Sequence, residues 1–142
     1  MYLLLISLPL ISALVSLLFG FKIGYKGATI ITTFLAIVNF FIALFIFYEV
    51  ALCSSSCFIQ ISKWFDVDFF IVYWGGLFDS LTVTMLIMIT FISALVHLYS
   101  ISYMENDTHI VRFMSYLSLF TFFMIVLVTG DNLIQLFVGW EG

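Results

Sequence analysis

Charged residues fall in short islands along this chain, and long uncharged apolar runs separate them. Residues 2–21 and 28–48 carry no charge at all, and each is long enough to span a hydrocarbon core, which takes about 20 apolar residues. Pro9 lies in the first run, where neighbouring helices can satisfy the backbone groups that a proline frees. The segment FKIGYKG, with Lys22 and Lys26, forms a short link between the two runs. Two further spans are predicted over residues 80–100 and 113–129. After Gly130-Asp131-Asn132, a tight reversal with Asp131 or Asn132 available as helix cap, a fifth helix starts and covers 132–142. The pattern predicts an all-α membrane protein with about four transmembrane helices and the first half of a fifth.

Between the second and third runs the pattern changes. CFIQISKWF and DFFIVYWGG are rich in β-branched and aromatic residues, and the first partly alternates. A β-hairpin or interfacial ribbon is expected here, joined near Asp66-Val67-Asp68. Trp64, Tyr73 and Trp74 suit a membrane–water boundary. Basic residues in short loops set orientation. Lys22, Lys26 and Arg112 fall in links that alternation puts on one side, the inside. The long connection, with Lys63 alone, then lies outside, and the fifth helix enters from outside.

Composition sharpens this picture. Of 142 residues, 65% are hydrophobic and 8% charged, against roughly half and a quarter in soluble domains. Membrane lipid is therefore a partner. Four basic residues cannot build a nucleic-acid surface. Cys53 and Cys57 have no histidine near them, which argues against zinc. They read as two free thiols, or as a disulfide in an oxidising compartment. No charge precedes Lys22, so the first run reads as a retained span and not as a signal peptide. The absence of an Arg-rich transit sequence fits synthesis inside a bacterium or an organelle.

Two intramembrane groups can carry chemistry. Glu141 falls about nine residues into the fifth helix, roughly 14 Å along its axis and near the bilayer midplane. A charge there costs at least about 2.5–3.5 kcal/mol, and the last helical carbonyls lack partners. Either the helix end bends to the interface, or another polypeptide continues the helix and supplies polar partners. Glu141 is thus a candidate proton carrier, against the simpler reading of a neutral carboxyl hydrogen-bonded in a bundle. His97 is the second. Thr90, Ser93, His97 and Ser100 share one helical face, a polar path for protons or a seam that packs helices. Asp79 opens the third span and can cap it. His109, beside acidic loop residues, reads as solvated.

The second half carries a specific resemblance. Phe78-Asp79-Ser80-Leu81, Met85-Leu86, His97-Leu98-Tyr99-Ser100, Tyr103-Met104, Arg112-Phe113, Leu127-Val128, Asn132 and Gly139-Trp140-Glu141-Gly142 together resemble chain 5 of the proton-pumping NADH:ubiquinone oxidoreductase, respiratory complex I. The resemblance is strong over 75–142. The first half resembles the family mostly in pattern: two spans followed by a long connection.

The resemblance implies the distal antiporter-like subunit of the membrane arm, in a mitochondrial inner membrane or a bacterial plasma membrane. It implies that Glu141 lies on the proton path, paired with a lysine on a later helix. It also implies no flavin, iron–sulfur cluster or quinone site on this chain, while the whole complex uses FMN, iron–sulfur clusters, NADH and ubiquinone. Family members continue well past this point, with inverted repeats and intramembrane lysines. Residues 1–142 are accordingly expected to be an N-terminal fragment of a split subunit. A second fragment would continue the fifth helix after Gly142, and other membrane-arm subunits would surround both. A sodium/proton antiporter subunit and a purely structural four-span brace are the competing expectations.

Overall fold

A computed structural model describes all 142 residues. The first helix, α1 (Tyr2–Phe47), folds back on itself at Gly24, whose φ of 81° and ψ of 165° are not helical. Nothing lies within 4 Å of the place where a Cβ would sit at Gly24. The backbone conformation, and not lack of space, selects glycine there. Only Gly24 in FKIGYKG opposes a helix, so Lys22 and Lys26 stay helical and the link shrinks to one residue. Leu5 of the first arm shares a core with Ala43 and Ile46 of the second, so the arms run antiparallel. Unfolded into one rod, 46 residues would reach about 69 Å, roughly twice a hydrocarbon core. The fold-back divides α1 into two spans.

A short π-helical turn, Tyr48–Leu52, ends the second arm. Strands β1 (Cys57–Val67) and β2 (Phe70–Phe78) then form an antiparallel hairpin. The reversal falls at Asp68-Phe69, one residue later than the sequence suggested, because Asp68 adopts a left-handed φ of 41°. Aspartate tolerates that region better than most residues. The ladder slips at Ile61 and Trp64, two bulges in β1. Helices α2 (Ser80–Tyr103), α3 (Ile110–Thr129) and α4 (Leu133–Glu141) complete the chain. The all-α membrane class and the hairpin expected from the sequence are both present.

Large apolar side chains face outward. Phe34, Phe45, Leu95 and Phe120 are exposed, whereas Ser12, Ser16, Thr32, Asn39, Thr90, Ser115 and Ser118 are buried. Lipid is as apolar as leucine, so burial of leucine does not drive helices together in a bilayer. Close approach over small residues does. Gly20 shows the closeness, since a Cβ there would collide with the Val111 side chain. The polar ends are sorted as well. Gly24 and Tyr25 line one groove together with Thr108, His109 and Arg112, so both basic links share an end of the bundle. The hairpin, Asp79 and Asn132 occupy the opposite end, where Asn132 donates to the Tyr73 carbonyl (2.8 Å).

Candidate functional site

Inside the bundle, serine and threonine hydroxyls first satisfy their own helices. Thr32 donates to the Ala28 carbonyl (3.0 Å), Thr90 to Leu86 (2.7 Å), Ser115 to Val111 (2.7 Å) and Thr121 to Leu117 (3.0 Å). Each hydroxyl so engaged still offers lone pairs sideways to neighbouring helices.

His97 sits at the centre of this arrangement, 1% exposed. Its Nδ1 lies 2.7 Å from the Ser93 carbonyl. A carbonyl only accepts, so Nδ1 carries a proton and Nε2 is the exchangeable position. Nε2 lies 3.1 Å from Ser118 Oγ, and Ser118 Oγ lies 3.2 Å from Ser12 Oγ. Ser93 Oγ, one turn back on α2, pairs with Thr121 Oγ1 (2.8 Å). A parallel pair, Ser16 and Ser115 (2.8 Å), lies towards the basic end. The result is a hydroxyl–imidazole chain that joins the first arm of α1, α2 and α3.

Ser118 can serve this chain in two ways. With neutral His97, its single proton is donated to Nε2. With protonated His97, Nε2–H donates to Ser118, which then donates to the Met114 carbonyl at 3.1 Å. In hydrogen-bonding terms, gain of one proton by the imidazole is met by rotation of a hydroxyl, while the charge itself finds no carboxylate among the residues that line the cavity around it. Thr90, Ser93 and His97 also line a cavity of about 10 Å³ with Ser12, Asn39 and Ser118. Ser100 is buried but bonds only the Val96 carbonyl (2.7 Å).

The structure keeps Glu141 apart from this cluster. It is exposed, on the last residue of α4, and makes no side-chain hydrogen bond. Gly142 packs against Phe123 of α3, whereas His97 meets α3 at Ser118. Asp79 lies at the other end of α2, where its Oδ1 accepts from the Thr82 amide (2.8 Å). That amide hydrogen bond holds the Asp79 carboxyl below its ordinary value of 3.8.

Sequence reasoning missed Ser12, Asn39, Ser118 and Thr121. Asn39 had a signal of its own, a strongly polar side chain deep in an uncharged run. The hydroxyls did not, because a lone serine in a span is common and its partner lies on a helix far away in sequence.

The profile described as NADH-Ubiquinone oxidoreductase (complex I), chain 5 N-terminus, matches residues 64–114. NADH-ubiquinone oxidoreductase chain 5 of Arabidopsis thaliana is 56% identical over 142 residues, 100% of this chain and 21% of the relative. The protein of that name from Metridium senile is 56% identical over 100% of this chain and 24% of its own length. The one from Aspergillus niger is 52% identical, covering 100% and 22%. The chain thus spans about a fifth of the length of the curated relatives it matches.

Proposed function

Along all of its 142 residues this chain belongs with the N-terminal part of NADH-ubiquinone oxidoreductase chain 5, and from that premise we propose that it supplies leading helices of the antiporter-like, proton-translocating subunit in the complex I membrane arm. The observation that carries the proposal is the 56% identity maintained over the full chain. The mitochondrial inner membrane is the location that fits these eukaryotic relatives. NADH, FMN, iron–sulfur clusters and ubiquinone belong to the assembled complex, and this chain holds none of them itself. Its partners are the other membrane-arm subunits and the polypeptide, on this or a separate chain, that extends α4 past Gly142.

Within that assembly Glu141 is the proton-carrying carboxyl. His97, with Ser93, Ser118 and Ser12, forms a second proton-responsive group. Thr90 and Ser100 belong to the same polar face of α2. The two centres sit at different heights. Gly142, next to Glu141, packs against Phe123, and His97 meets Ser118, five positions apart on α3 and so about 7–8 Å along its axis. Direct exchange between them is too long for one hydrogen bond, so groups from beyond this chain or water must connect them.

The test uses the assembled complex reconstituted in sealed vesicles. Glu141→Gln keeps shape and removes the titrating proton. NADH oxidation with ubiquinone is expected to persist while protons moved per electron fall. An unchanged stoichiometry at unchanged turnover overturns the assignment of Glu141.

A further inference from the structure

Asn39 is 2% exposed, in the middle of the second arm of α1. Its Oδ1 is the single buried side-chain polar atom in the chain without a hydrogen-bond partner. Buried polar groups in folded proteins are nearly always paired, so an exception needs a cause. Asn39 borders the cavity of about 10 Å³ that also touches Ser12, Thr32, Thr90, His97 and Ser118. That volume is about the least that accepts one water molecule, and a buried water needs two to four polar partners.

The wall chemistry specifies the occupant. Thr32 and Thr90 donate their only protons to Ala28 and Leu86 of their own helices, so they face the cavity as acceptors. The Nδ1 proton of His97 is held by the Ser93 carbonyl. Asn39 Oδ1 accepts as well. With Asn39 Oδ1 unpaired and the Thr32 and Thr90 protons already spent, three acceptors face this space, which calls for a donor small enough to fit. No carboxylate lines it, so a cation would lie there without a counter-charge, which low-dielectric surroundings penalise heavily. A neutral molecule with two protons meets every condition.

A second observation bears on what this molecule does. Every side-chain hydrogen bond of the second arm stays within that arm: Thr29 to Lys26, Thr32 to Ala28 and Thr29, and Thr33 to Thr29. The first arm, α2 and α3 are joined directly by Ser12–Ser118, Ser16–Ser115, Ser93–Thr121 and His97–Ser118. The second arm has no such polar tie.

We propose that one ordered water occupies this cavity, donates to Asn39 Oδ1 and to a wall hydroxyl, and ties the second arm of α1 to the His97 cluster. The water is a binding partner of the chain in its own right, and its presence does not depend on Glu141 carrying protons.

The deciding experiment is a cryo-electron microscopy map of the assembled complex, at a resolution that shows ordered water, for the natural chain and for Asn39→Leu. One density peak within hydrogen-bond distance of Asn39 Oδ1 is expected in the natural chain, lost in the variant. Three results would overturn the proposal. These are an empty cavity, an Asn39 amide turned so that Nδ2 donates directly to a wall hydroxyl, or a peak with the short ligand distances of a metal cation. The natural-chain map decides the matter even where Asn39→Leu does not assemble.

Discussion

One imidazole nitrogen of His97 is fixed by a carbonyl and the other meets a hydroxyl that can point two ways. This makes Ser118 the adjustable partner. Ser118→Ala removes it and leaves Nε2 with no hydrogen-bonding side chain on α3. Proton translocation through the assembled complex should slow, by about tenfold if about 1.4 kcal/mol is added to the rate-limiting barrier. Ser118→Thr, which keeps the hydroxyl, should restore most of it. Equal rates for both variants would leave the His97–Ser118 contact a packing feature only. Asp79 offers a cleaner residue-scale test. Its carboxylate caps α2 through the Thr82 amide, so Asp79→Ala should cost about 1 kcal/mol of stability, the usual value of an N-cap. The carboxyl titrates below its ordinary 3.8 in the folded chain, so the unfolded state binds the proton first. The contribution is complete above that ordinary value and disappears as pH falls through the lower folded value. Asp79→Asn keeps a capping oxygen and should abolish this acid dependence, which hydrogen exchange at Thr82 and Val83 can follow. The polar face of α2 was legible because residues three and four apart must share a helical face. Which face of α1 or α3 it meets was not, since period does not encode partner.

Among the elements, α4 depends most on its neighbours, for nine residues make a marginal helix alone. Asn132 caps it by accepting from the Gln135 amide (2.9 Å). The Gln135 side chain donates to the Gly75 carbonyl (2.7 Å) and accepts from the Gly75 amide (3.3 Å), so one amide clamps β2 to α4. Gly139 lies against the backbone of Leu127, where an added Cβ would come within 2.7 Å. Gln135→Leu strips both bonds from buried Gly75 backbone groups, a loss of about 1–3 kcal/mol for each group left unpaired. Faster amide exchange across Tyr73–Gly76 is the expected sign, with α2 unaffected. Protection equal to that of the natural chain would show that the clamp contributes nothing. Gly139→Val should displace α4 from α3 more severely, and a disulfide crosslink between cysteines placed at positions 123 and 142, where α4 also meets α3, would lose its yield. The hairpin itself was legible from its aromatic and β-branched composition. Its turn and bulges were not, because Asp68 enters the left-handed region without a glycine to announce it and Ile61 and Trp64 look like ordinary strand residues.

At the scale of the whole molecule, basic links and hairpin lie at opposite ends, an arrangement the alternation of spans had made legible. The four spans could be counted from hydropathy alone, whereas the near-absence of a loop at Gly24 could not, since lysines flank a helix end as readily as they ride within one. Cys53 is exposed and unbridged at the hairpin end, a natural reporter of sidedness. A membrane-impermeant maleimide should label it from one face of sealed vesicles. Lys26→Cys and Asp107→Cys should react only from the other face. Labelling of all three from a single face would refute the arrangement of spans.

The reversal at Gly24 also sets how this bundle can move. Helical hydrogen bonding runs up to that residue from both sides, so neither arm can slide along the other without breaking it. The two arms act as one strut of fixed height. Ser12 and Asn39, twelve and fifteen positions from the reversal, are held nearly level with each other. A push on the hairpin side reaches both together, and any gating motion of this bundle has to be a tilt of the pair against α2 and α3, never a shear within it.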